Sequence, residues 1–253
     1  MESNSCNNCK ETILVDSAFC PTCGSNLIEK NRTNSEGNLN TIIFFYVSIV
    51  VFIAITYYVN ENFQENFLAE VLIEGFFALI ILLFSLFDLK EIIALYRFPK
   101  ITIRDYLLTF FTPVFTGITV YIGVEFINNV VDPENSINTY VQYLYLEHPL
   151  AWGIFFIAIL PPIFEELAFR GYLFNLLKRV TNARNTIIAT SFLFALVHFS
   201  FISIIWIFPF GLLLGYLRNK YNTLWLGMII HFIHNLIVFL LDYFVFNYTI
   251  VGT

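Results

Sequence analysis

Charge is scarce in this chain. Only 13% of its 253 residues are Asp, Glu, Lys or Arg, against 58% hydrophobic and 19% aromatic. A soluble domain carries about twice that share of charge, so a water-soluble globular enzyme is excluded and the net charge of -6 says little about acidic or basic partners. The apolar stretches lack the alternation of an outer-membrane barrel and are long enough for helices of about 20 residues. The expected fold class is all-α, a polytopic transmembrane helical bundle. No cysteine follows Cys23, which excludes a disulfide framework in the body of the chain. The first forty residues lack the apolar core of a cleavable signal peptide. No basic patch is present, so no nucleic-acid partner is expected. Neither a repeat nor an inverted pair of interrupted spans supports a transporter.

The four cysteines form two knuckles, Cys6-x2-Cys9 and Cys20-x2-Cys23, ten residues apart. Four thiolates so spaced can close a tetrahedron around Zn2+, whose binding supplies the folding energy that so short a segment cannot obtain from a core. Residues 1–28 are therefore expected to be a small zinc ribbon with Cys6, Cys9, Cys20 and Cys23 as ligands to a structural Zn2+. Gly24 after Cys23 suits such a knuckle, whereas Lys10 after Cys9 departs from it. The competing reading of the same residues is two disulfides in a secreted head. Residues 29–40 are polar and read as a linker.

Seven apolar spans follow, at about 41–59, 67–87, 106–127, 150–169, 186–201, 203–217 and 223–246. All thirteen Lys and Arg residues, among them Lys90, Arg97, Lys178, Arg179, Arg218 and Lys220, can be placed on one side. The opposite loops carry Glu61, Glu65, Asp132, Glu134 and Glu147 and no base. This asymmetry predicts a cytosolic amino terminus and ribbon, with the carboxyl terminus outside a cell membrane.

The span at 150–169 ends in Pro161-Pro162-x2-Glu165-Glu166-x3-Arg170. A charged side chain at the bilayer centre costs at least about 2.5 kcal/mol on insertion scales, so two carboxylates and a guanidinium there need water or partners. The two prolines are expected to break or restart the helix and free backbone groups to line a cavity. At helical spacing Arg170 lies over Glu166, which it can hold ionised, while Glu165 points aside and is left to act as a general base. The competing reading is an ion network at the cytosolic rim. Three of the four histidines also lie in spans: His198 in the fifth, and His231 with His234 in the seventh, where Asn235 follows one turn after His231. A glutamate and a histidine converging on one water make a hydrolytic arrangement, and a second histidine with an asparagine amide offers donors to an oxyanion. The same residues could bind a divalent metal that acidifies the water, and spacing does not separate His234 from His231.

In order, Glu165-Glu166-x3-Arg170-Gly171, Phe194-x3-His198 and His231-x3-Asn235 resemble the three motifs of the CAAX-processing and bacteriocin-processing (CPBP) family of intramembrane proteases and related bacterial proteins. Gly211-x3-Gly215 ahead of the last motif is also similar, and such glycines allow close helix approach. The resemblance covers roughly 150–238. It implies a CAAX protease-like endopeptidase in which Glu165 and His198 activate water, His231 and Asn235 stabilise the tetrahedral intermediate, and Glu166 and Arg170 support them. It leaves a catalytic metal open. Eukaryotic relatives trim prenylated tails; a compact chain with a ribbon looks prokaryotic, and the expected substrate is a membrane-associated peptide or protein within the lipid bilayer. The alternative is a non-catalytic bacteriocin self-immunity or membrane scaffold protein. The ribbon is expected either to cap the membrane surface or to dock a cytosolic partner. The resulting domain reading is ribbon 1–28, linker 29–40, accessory helices 41–148 and catalytic core 149–246.

Overall fold

The structure, a computed structural model, describes residues 4–6, 8–13, 20, 22–24, 28–62, 66–131, 138–199 and 201–251. Two antiparallel two-residue strands, β1 (Asn4–Ser5) and β2 (Thr12–Ile13), lead into helices α1 (Ile28–Asn62), α2 (Phe67–Leu86), α3 (Leu89–Ala94) and α4 (Ile103–Val131). After a single 3-10 turn come α5 (Pro149–Lys178), α6 (Ala183–Leu196), α7 (Phe201–Tyr221) and α8 (Trp225–Val251). The membrane part is all helical, as its composition requires.

Five of these helices are long and apolar enough to cross a membrane: Asn38–Asn62, Phe67–Leu86, Ile103–Ile127, Pro149–Lys178 and Trp225–Tyr248. With α6 and α7 they correspond to the seven apolar spans read from sequence. The 14 residues of α6 rise only about 21 Å, short of a hydrocarbon layer of about 30 Å, so α6 alone is too short to cross it. Large apolar side chains on α2 and α4 face outward, among them Phe76 and Phe115, which only lipid accommodates on this scale.

Several boundaries move from the sequence reading, each for a local reason. α1 begins at Ile28 and takes in 29–40, a polar stretch without proline to stop a helix. α5 runs on past Arg170 to Lys178, because Arg170 is enclosed by partners and does not end the span at the rim. The acidic loop residues Glu65, Asp132 and Glu134 lie outside the described residues.

The α2–α4, α5–α6 and α7–α8 connections share one face. There Thr223 Oγ1 donates to the carbonyls of Leu95 and Arg97 (both 3.0 Å), and Trp225 Nε1 donates to Tyr96 O at 2.7 Å. The core under this face joins Phe45 and Ile49 of α1, Ile81 of α2, Leu167 to Leu173 of α5 and Phe194 of α6. At the opposite end Tyr140 and Tyr143 pack on Phe156 and Phe239, and Asp242 accepts the Thr139 amide at 2.9 Å.

Candidate active site

The local conformation of α5 follows from its two prolines. Neither Pro161 nor Pro162 has an N–H, so the carbonyl of Ile157 loses its donor both in α register, four residues on, and in π register, five residues on. The helix does not break at the prolines but restarts there in α register, with Pro161 and Pro162 in the first turn from Leu160, as the sequence reading allowed. It widens into π turns at Ile154–Ile159 and again at Glu166–Leu173. The Ile157 carbonyl instead accepts Asn235 Nδ2 of α8 at 3.0 Å. Asn235 thus satisfies a backbone oxygen that the sequence of α5 leaves without a backbone partner.

The second π turn carries Glu166 and Arg170, both fully enclosed at 0% and 1% exposure. In the wider turn, positions four apart still meet: Arg170 Nη1 lies 3.1 Å from Glu166 Oε1. Arg170 Nη2 donates to Gly211 O at 3.3 Å, and its guanidinium stacks 4.1 Å over the Phe194 ring. A Cβ on Gly211 would fall 3.2 Å from that Nη2, which gives the glycine on α7 its reason. The rim-network reading fails here, because the pair sits inside the bundle. A buried pair of this kind is strongly destabilised when one partner is removed, by about 3–5 kcal/mol.

Glu165 points to the other side of α5, as the spacing indicated, and is half-buried. It joins His198, His231, His234 and Asn235 in lining one cavity of about 290 Å³, closed by Ile157, Pro161, Phe194 and Phe210. A water takes about 30 Å³, so the space admits water and a peptide group together. His231 lies between the two carboxylates, Nδ1 3.4 Å from Glu166 Oε1 and Nε2 3.9 Å from Glu165 Oε2. These contacts are close in charge but not aligned as hydrogen bonds, and Glu165 Oε2 has no protein donor. His198 Nδ1 donates to its own helix at Phe194 O, 2.9 Å away, which fixes the tautomer and leaves Nε2 as an acceptor. His234 is held through Nδ1 by Thr116 Oγ1 at 3.0 Å.

Sequence reasoning missed three participants. Thr116 comes from α4, and nothing in its surroundings sets it apart from other helical threonines. Arg218 of α7 donates through Nε to the carbonyl of Arg170 at 2.8 Å, joining the ends of the second π turn and α7. Gly227 of α8 lies under Glu166: a Cβ there would come within 2.6 Å of Oε2. A glycine inside an apolar helix costs about 1 kcal/mol against alanine, and that cost was the available signal of a close approach.

The cysteine cluster stands apart from this cavity. The four Sγ atoms lie within 4.8 Å of one another, with Cys6 and Cys23 3.7 Å apart and Cys9 and Cys20 3.5 Å apart. Such separations are too long for disulfides and close to the roughly 3.8 Å edge of a tetrahedron with metal–sulfur bonds of about 2.3 Å. The residues therefore fit a four-coordinate metal ion. Lys10 and Gly24 both adopt positive φ, 63° and 68°, so that their amides turn back onto Cys6 O and Cys20 O. Lysine thus occupies a position that favours glycine. A backbone hydrogen bond at Glu11 lowers the Cys9 pKa, but desolvation and the neighbouring thiols push it up to about 12. A bound cation would reverse that by taking the thiolate form.

Comparison with known proteins bears on the core alone. No curated protein and no solved structure matches the chain. The family model described as type II CAAX prenyl endopeptidase Rce1-like matches residues 147–237, from just before α5 into α8. That segment contains Glu165, Glu166, Arg170, His198, His231 and Asn235, while α1, α2 and α4 lie outside it. Over residues 147–237, its membrane core, this multi-pass helical protein is similar to the Rce1-like type II CAAX prenyl endopeptidase family.

Proposed function

We propose that the protein is an intramembrane endopeptidase that hydrolyses a peptide bond of a membrane-associated peptide or protein. The observation that carries this reading is the single cavity onto which α5, α6 and α8 direct Glu165, His198, His231 and Asn235. Glu165 Oε2 and His198 Nε2 are acceptors without a protein donor, suited to polarise one water between them. Glu165 takes the water proton as the oxygen attacks the substrate carbonyl carbon. His231 and the second N–H of the Asn235 amide donate to the resulting oxyanion, and the proton passes from Glu165 to the leaving amine. Glu166 orients His231 through Nδ1, and Arg170 holds Glu166 in place. Restricting water to a cavity walled by Phe194 and Phe210 strengthens each of these interactions.

The same reading places the amino terminus in the cytosol and the carboxyl terminus outside the cell membrane. Lys90, Arg97, Lys100, Lys178, Arg179, Arg184 and Lys220 all lie on or beside the face of the three short connections, as the positive-inside rule requires of a cytosolic surface. The cysteine cluster holds Zn2+, its four-sulfur set being the one that ion favours. The test is cleavage in proteoliposomes of a panel of fluorogenic peptides, prenylated and unmodified amphipathic. Wild-type protein is expected to hydrolyse at least one of them, and Glu165→Gln to lose that activity while remaining folded. Full hydrolysis by Glu165→Gln would reject the assigned base.

A further inference from the structure

On the face where α5 and α7 end, a second cavity of about 310 Å³ opens between those helix ends and the 89–95 segment. Its floor is Arg218, a side chain only 4% exposed. Arg218 donates Nε–H to Arg170 O, Nη1–H to Asn222 Oδ1 and Nη2–H to Asn175 Oδ1, each at 2.8 Å. All three partners are neutral, and two of the five guanidinium N–H bonds remain. A buried cation with no anion beside it is costly unless a ligand supplies the charge. The arrangement is built to hold it there: Asn222 adopts φ of 49° at the end of α7, and Asn175 is itself fixed by donating to Asp88 Oδ2 at 2.8 Å.

The other cations on this cavity divide into two kinds. Arg179 is paired with Asp88 and is already compensated. Lys178 is exposed on the rim and has no carboxylate within ion-pair distance among the described residues, and Glu91 is the one acid on the cavity wall. Arg218 and Lys178 therefore present a fork and a point charge to the same space, the donor set that suits a phosphate. Arg179 also borders a third cavity of about 490 Å³, whose apolar wall includes Phe44, Phe84, Phe87 and Tyr172. A cavity with donors suited to a phosphate beside an aromatic-lined one, both at the end of the spans, matches the two halves of a phospholipid.

We infer that the cavity floored by Arg218 binds the phosphate of an anionic phospholipid headgroup, with an acyl chain lying along the adjoining aromatic cavity. Basic pockets between helices at the membrane surface bind anionic headgroups by this chemistry. The site is distinct from the catalytic cavity, but Arg218 holds the Arg170 carbonyl, so headgroup binding also braces the turn that carries Glu166. The inference stands whether or not the chain is a protease.

The experiment follows thermal unfolding of the full-length protein in detergent by tryptophan fluorescence, titrated with phosphatidylglycerol or with phosphatidylcholine of the same chains. Phosphatidylglycerol is expected to raise the midpoint and phosphatidylcholine not to. Lys178→Gln, an exposed change that leaves folding intact, is expected to weaken the phosphatidylglycerol response about fivefold, the loss of one surface cation contact. Arg218→Gln is expected to abolish the response, and Glu165→Gln to keep it. Equal responses to the two lipids, or an unchanged response in Lys178→Gln, would overturn the proposal. Inorganic phosphate stabilising as strongly as phosphatidylglycerol at the same concentration would overturn the lipid assignment in favour of a free anion.

Discussion

Gly227→Ala is a one-carbon change that removes no charged or hydrogen-bonding group, and its effect can be worked out from the packing of α8 on α5. The added Cβ would lie 2.6 Å from Glu166 Oε2 and 3.3 Å from Cδ. Ordinary contact begins near 3.4 Å, so the carboxylate has to move by about 0.8 Å. It has little room to do so, because Arg170 Nη1 and His231 Nδ1 stand 3.1 and 3.4 Å from its other oxygen. Helix propensity alone favours alanine by about 1 kcal/mol, whereas overpacking a rigid site costs about 1–3 kcal/mol, so the net change is destabilising. A misplacement approaching 1 Å in the groups that orient His231 is expected to lower kcat/KM about 100-fold. Gly75→Ala on α2, where nothing lies within 4 Å, is the control and is expected to be neutral or slightly stabilising. Cleavage rates in proteoliposomes and thermal midpoints of the two variants decide the matter. If Gly227→Ala cleaves and melts like Gly75→Ala, Glu166 is not held where it is described above.

Two further variants probe the scaffold and the cysteine cluster. Asn235→Ala removes the donor to the Ile157 carbonyl and is expected to cost about 1–3 kcal/mol; adding Pro161→Ala, which restores a backbone N–H to that carbonyl, should recover about 1 kcal/mol in a double-mutant cycle of thermal midpoints. Independent losses in that cycle would show that the two prolines and Asn235 are unrelated. Elemental analysis of purified protein is expected to find about one zinc per chain, and Cys20→Ser to lose it without changing the helical circular dichroism of the membrane part. Retained zinc in Cys20→Ser would remove the ribbon reading.

The parts of this architecture carried by pattern were legible in the sequence. Scarcity of charge gave the helical membrane fold, and the four-residue spacing from Glu166 to Arg170 gave a pairing that survives even in a π turn, because neighbours four apart meet in both kinds of helix. The knuckle spacing brought four thiols together even with Lys10 at a positive-φ position. What was not legible depends on which helix lies against which. Asn235 had an expected partner in the substrate but also has one in Ile157, a carbonyl made available by prolines more than seventy positions away. Gly227 and Thr116 act on Glu166 and His234 only through helix packing, which no local pattern reports. Arg170 and Arg218 counted as rim charges in the topology argument, yet both are buried, since each finds acceptors on a neighbouring helix that the sequence does not reveal.

The central claim is that Glu165 and His198 act on one water in one cavity. The most direct measurement is kcat/KM for Glu165→Gln, His198→Ala and the double variant, all folded, on the same peptide in proteoliposomes. Groups that serve a single step are grossly non-additive, so the account expects the double variant to fall no further than the more damaged single variant. Losses that multiply in the double variant would mean that the two side chains act independently, and the shared hydrolytic site would have to be abandoned.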